Sequence, residues 1–166
     1  MLVCNQENLI TINTKRVQGR RTVSYKSIDD LLQDAEQLAS SEVRQLGNWS
    51  LGQNLVHLAM TLNGSIDGFD FLLPAPVRWL MTLLMKKKYL QEIPAGFKTA
   101  AKYTPEPTSP EAGLEALRAA AARLEKEPKR ALHPAFGKLT LEEWNQFHLR
   151  HAEMHLSFIV PDNMKE

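Results

Sequence analysis

The stretch HLRHAEMHLSFIV, residues 148–160, holds His148, His151 and His155, three of the chain's five histidines. A cluster of this kind serves as core filler, as a proton relay or as a set of metal ligands. In a helix, His151 and His155, four residues apart, carry Cβ atoms about 6 Å from each other on one face, so both rings can turn on a single cation. His148 and His151, three apart, can chelate in the same way. His148 and His155 stand about two turns apart and cannot easily share an ion. A neutral imidazole taken out of water must satisfy one donor and one acceptor, so three on one apolar face multiply the desolvation cost unless something binds them.

Two ligands from one helix make a weak site, and a third from a facing helix makes a three-histidine site with positions left open for water or substrate. The other histidines are His57 and His133. His57 lies in a run from Gln45 to Ile66 with no Asp, Glu, Lys or Arg. At about 100° per residue, Leu51, Leu55, Leu58 and Leu62 form one stripe of this run, while Asn54, His57 and Thr61 form another. Gln53, Asn54, His57, Thr61 and Asn63 are costly in hydrocarbon, which argues for a helix buried in protein rather than a membrane span. A solvated stripe normally carries Lys or Glu, so Asn54, His57 and Thr61 are expected to line a cavity.

The elements that must position these residues read as helices. Ser27 with Asp30, Ser50 with Gln53 and Thr140 with Glu143 are capping-box signatures. They predict a helix from Ser27 to about residue 46, a second from Ser50 to about Ile66, and a last one that opens at Thr140 and ends before Pro161. Ser109-Pro110-Glu111 starts another that runs to Pro128, with the alanines at 119–122 allowing close packing. Between them VRWLMTLLMKKKYL predicts a shorter helix, and PAGFKTAAKYTPEPTSP an irregular loop. Residues 1–26 lack a helical period and are expected to form an extended arm. Four long helices, one extra short helix and no convincing sheet make an all-α bundle, a single domain over 1–166.

On the last helix Glu142, Glu143, Gln146, Arg150, Glu153 and Ser157 project to one side, the expected water face. Trp144, Phe147, Phe158 and Ile159 lie opposite, with the three histidines among them.

Composition sets outer bounds. The chain has 166 residues, 43% hydrophobic and 23% charged, enough for one domain with a core. Twenty Lys and Arg against nineteen Asp and Glu leave a net charge of +1, which supplies no field to steer nucleic acid or an anionic membrane. Lys86-Lys87-Lys88 reads as a helix end or a solvated face. The single Cys4 excludes an internal disulfide and suits a reducing compartment, and the N-terminal residues lack the basic segment of a signal peptide, so a cytoplasmic location is expected.

NWSLGQNLVH, with Trp49 eight positions before His57, and HAEMH, with His151 and His155, resemble the DinB-like (YfiT-like) superfamily of small four-helix-bundle proteins. GRRTVSYKSIDDLL, SIDGF, PAGFK and HPAFGKLTLEEWNQFHLRHAEMHLSF add a resemblance to one uncharacterised branch of it, covering about residues 19–158. The resemblance implies a divalent metal held by His57, His151 and His155, with Zn, Ni or Fe among the ions that imidazoles suit. It suggests a metal-dependent enzyme that activates a low-molecular-weight thiol or water for transfer or hydrolysis on a small molecule. Positions 53 and 61 are Gln and Thr where some relatives carry an acid, which leaves a non-catalytic small-ligand-binding or interaction protein of the same fold as the alternative. His148, His133, Asn54, Thr61 and Trp144 are candidate residues around the ligands. A homodimer through the apolar VRWLMTLLM stretch and Trp79 is a further expectation.

Overall fold

A computed structural model describes residues 11–162, of which just over half are helical. Cys4 and the first ten residues of the expected arm lie outside the described residues. Helix α1 spans Ile28–Ala39, α2 Leu51–Asp67, α3 Ala75–Leu84, α4 Lys86–Gln91, α5 Pro110–Lys126 and α6 Leu141–Leu156. All three capping boxes form as the sequence predicts. Ser27, Ser50 and Thr140 each accept from the backbone N–H three residues on, and Asp30, Gln53 and Glu143 reach back to the cap. Ser109 caps α5, with Pro110 at its first position.

The core lies between the four longer helices α1, α2, α5 and α6. Leu31, Leu38, Leu55, Leu62, Leu117 and Leu156 are fully enclosed in it. Helices α2 and α5 make the closest crossing, at Gly52 and Gly113. A Cβ on Gly113 would stand 2.7 Å from the Gly52 carbonyl oxygen, and one on Gly52 would stand 2.3 Å from that of Thr108. Backbone meets backbone there because neither residue has a side chain. The crossing holds the first turns of α2, which carry Asn54 and His57, in fixed register with the rest of the bundle.

Four expectations need correction. The first helix ends at Ala39 rather than near residue 46, because Val43–Gln45 forms strand β1 and pairs antiparallel with strand β2, Ile159–Pro161. That pairing makes a two-stranded sheet where none was expected, while the last helix ends at Leu156, before Pro161 as predicted. The single short helix expected over VRWLMTLLMKKKYL is two, α3 and α4, broken at Met85, whose φ of −120° and ψ of −26° leave the helical region. Helix α3 presents Trp79, Leu83 and Leu84 to the outside, each about two-thirds exposed.

The fourth correction concerns the water face of α6. Ser157 is buried and Arg150 and Glu153 are partly covered. The arm crosses them: the Tyr25 N–H donates to Glu153 Oε1 at 2.7 Å, Arg150 Nη2 donates to the Tyr25 carbonyl at 2.7 Å, and Arg20 Nε donates to Ser157 Oγ at 3.0 Å. Arg21 binds Asp34 through both its terminal nitrogens, and Tyr25 donates its hydroxyl to the same carboxylate. Tyr25 thereby becomes part of the core at 4% exposure. Arg150, Glu153 and Ser157 are thus the docking line of the arm, while Glu142 and Gln146 stay exposed.

Candidate metal centre

Helices α2 and α6 run side by side at one end of the bundle and bring His57, His151 and His155 together. One ring nitrogen from each lies within 4.8 Å of the others. The ring centroids stand 4.7 Å apart for His57 and His155, 4.7 Å for His151 and His155, and 5.2 Å for His57 and His151.

Hydrogen bonds decide which nitrogens are free. His57 Nδ1 lies 2.8 Å from the Tyr103 carbonyl oxygen. A carbonyl only accepts, so Nδ1 carries the hydrogen and Nε2 keeps its lone pair. His155 Nδ1 lies 2.9 Å from Asn54 Oδ1. The Asn54 amide nitrogen donates to the carbonyls of Trp49 and Ser50, at 3.1 and 2.9 Å, which turns Oδ1 toward the histidine as acceptor. His155 therefore also presents a bare Nε2. His151 Nε2 stands 3.1 Å from His155 Nε2, and His151 Nδ1 is buried with no partner among the described residues.

This donor set fits a metal ion. Metal-binding histidines characteristically hand their second N–H to a carbonyl or carboxylate, which fixes tautomer and ring orientation. Two of the three do so here. Burial, the largest cause in each case, lowers the pKa of all three rings below the usual histidine value, and His151 and His155 fall well below it. Mutual repulsion among the cluster adds to the effect on those two, while the Tyr103 carbonyl acts the other way on His57. The rings are neutral at pH 7, the form a cation requires.

Trp49 closes one side, stacked on His155 at 5.5 Å and 8° and tilted against His57 at 4.9 Å. Beside the cluster opens a cleft of about 710 Å³, lined by His151 and His155 together with Asn54, Trp49, Phe147 and Phe158. Nothing about the Tyr103 carbonyl was visible in the sequence, since any residue supplies a backbone oxygen. Trp49 belonged to the resemblance, but its stacking on His155 had no spacing signal.

The remaining candidates fall elsewhere. Thr61 donates to the Leu58 carbonyl of its own helix, at 2.8 Å. His148 lies flat on Trp144 at 5.3 Å and 23°, and neither ring nitrogen has a partner among the described residues. Trp144 stacks on Phe69 at 6.3 Å as part of a second, aromatic core with Phe136 and Leu139. His133 lines the cleft from the loop between α5 and α6, across Phe147 from the cluster.

The family described as "Protein of unknown function (DUF1569)" matches residues 17–162. The chain belongs to this family. The DUF1569 match covers α1 to α6, the part of the arm that docks on α6, and every histidine of the chain. No curated protein and no solved structure matches the chain. Among the described residues no helix is long and apolar enough to cross a membrane.

Proposed function

We propose that His57, His151 and His155 hold a divalent metal ion, that the chain is a DinB-like metalloenzyme, and that the cleft beside the histidines receives its small-molecule substrate. The observation that carries the reading is the pair of fixed tautomers: Tyr103 and Asn54 hold the Nδ1–H groups of His57 and His155 so that two bare Nε2 atoms face the same point as His151. Three imidazoles add no negative charge, so a bound divalent ion keeps its full charge and makes a coordinated water or thiol strongly acidic. The chain's own residues orient and enclose. Trp49 covers the cluster, and Phe147 and Phe158 give the cleft an apolar wall that keeps bulk water from the reacting group. Imidazole ligands suit Zn, Ni, Fe or Cu.

A second reading, a binding protein of the same fold without turnover, draws on the lining of the cleft, which includes no Asp or Glu among the described residues.

Metal content of untagged protein, measured beside the His151→Ala/His155→Ala variant, tests the site. The expected result is about one ion per chain in the wild type and almost none in the variant. Near-zero metal in both overturns it. Turnover of a thiol and an electrophile that stops on chelation favours the enzyme, and a metal-loaded protein inert toward both thiol transfer and hydrolysis favours the binding protein.

A further inference from the structure

His133 is held as tightly as the three clustered histidines, by different means. The turn His133-Pro134-Ala135-Phe136-Gly137 is closed by the His133 N–H donating to the Gly137 carbonyl at 2.7 Å and the Gly137 N–H donating back at 2.9 Å. Gly137 adopts φ +67°, a conformation that favours glycine. Within the turn the backbone N–H groups of Ala135 and Phe136 both donate to His133 Nδ1, each at 3.1 Å. A nitrogen that accepts two N–H groups carries no hydrogen, so the neutral ring has its hydrogen on Nε2.

The ring cannot swing away. Phe136 stacks on it at 4.7 Å and 20°, Phe147 meets it edge-on at 4.6 Å, and Trp144 lies at 5.2 Å. The residue is 7% exposed, and burial pushes its pKa down to about 4. At neutral pH it is neither a cation nor a base. It is a fixed N–H donor that lines the cleft, and the side-chain hydrogen bonds it makes among the described residues are both at Nδ1. Its Nε2 is not closed off from the cleft, so an acceptor bound there takes the N–H in place of water.

The charge of the lining tells what kind of acceptor fits. Among the described residues that line the cleft, Lys15 and Lys98 are the charged ones, and neither takes part in an ion pair. The aliphatic stem of Lys15 lies over Gly96, where a Cβ would come within 2.3 Å of it. The rest of the wall is largely apolar, with Phe97, Phe136, Phe147 and Phe158. A volume of about 710 Å³ suits a small organic molecule.

We propose that His133 is a ligand-binding residue whose Nε2–H donates to the carboxylate of an organic acid, and that the acid's apolar body lies along the phenylalanine wall. This deepens the reading of the cleft as a substrate site and rests on it, but does not require the metal. Lys15 and Lys98 add attraction for the anion at the same cleft.

Calorimetric titration of 1-naphthylacetate and of its neutral isostere 1-naphthylacetamide tests this, using both chelator-treated and metal-loaded protein. The wild type is expected to bind the acid at least several-fold more tightly than the amide in both forms. His133→Phe keeps an aromatic ring in the cage and removes the donor, so affinity for the acid is expected to fall about tenfold. His133→Gln restores an N–H near the position of Nε2 and is expected to recover part of the loss, which a purely structural role does not predict. Lys15→Met/Lys98→Met is expected to weaken the acid and leave the amide unchanged.

Equal binding of acid and amide overturns the proposal, as does an unchanged His133→Phe affinity or a wild type that binds neither probe. Acid binding that depends on His133 in a protein that never loads metal separates failure of the metal site from failure of this inference.

Discussion

His148 and His155 lie two turns apart on one helix, His148 buried and His155 half-buried at the cleft, and the chain treats them in opposite ways. His155 is hydrogen-bonded at Nδ1 by Asn54, an amide that is itself pinned by two backbone carbonyls, and its Nε2 faces two other imidazoles. His148 is 3% exposed, lies against Trp144, and leaves both nitrogens without a partner among the described residues, as Trp144 leaves its Nε1. Burial alone does not distinguish a ligand from a core residue, since His57 of the cluster is as buried as His148. The partner on the second nitrogen does, because it fixes which lone pair is free and where it points.

The largest effect expected from this comparison is on acid stability, where the two kinds of histidine act together. Burial lowers the pKa of all five rings, to about 3 for His148, to about 4 for His133, and below the ordinary value for the clustered three. Below about pH 6.5 the unfolded chain binds protons that the folded chain refuses. The stabilisation is complete above pH 6.5 and is lost as pH falls, at up to about 1.4 kcal/mol per pH unit for each ring. Denaturant titrations of chelator-treated protein from pH 7.5 to 4.5 should show stability dropping steeply below pH 6.5. A flat profile would mean that the rings are solvated and that neither group is enclosed as described.

Much of this arrangement was legible in the sequence, for reasons that are local. Capping boxes act over three residues, so Ser27, Ser50 and Thr140 announce their helices without help from the rest of the chain. The four-residue spacing of His151 and His155 and the uncharged stripe holding Asn54 and His57 follow from helical period alone. What was not legible depends on partners distant in sequence. Three-residue strands at 43–45 and 159–161 exist because each completes the other. Arg150, Glu153 and Ser157 read as a solvent face because nothing in their spacing says that residues 20–25 cross them. The approach of Gly52 to Gly113 and the Tyr103 carbonyl behind His57 are likewise products of the assembled fold.

A smaller effect separates Asn54 from Thr61, which the sequence set on the same polar stripe. Asn54 holds a clustered histidine, whereas Thr61 bonds only its own helix. Asn54→Leu removes the acceptor for the His155 N–H and frees the ring to rotate or change tautomer, so metal affinity should fall by about 10- to 100-fold. Thr61→Val should leave it unchanged. Competition with a chromophoric chelator measures both, and equal affinities in the two variants would remove the orienting role assigned to Asn54.

The smallest effect bears most directly on the opening comparison. His148→Phe preserves an aromatic ring against Trp144 and removes two buried nitrogens that have no partner among the described residues. Since each unmatched polar atom in a core costs free energy that a hydrocarbon of similar shape does not, the variant should be as stable as the wild type or more stable by about 1 kcal/mol. The same exchange at His155 replaces a bare Nε2 with carbon and should abolish metal loading. Thermal unfolding and metal content of the two variants, measured together, read both expectations. If His148→Phe also lost the metal, the ring would be acting on the cluster through His151, the nearer of the clustered histidines along α6, whose own Nδ1 is the unfixed member of the set. In that case the division between ligand and core would run through His148 rather than beyond it.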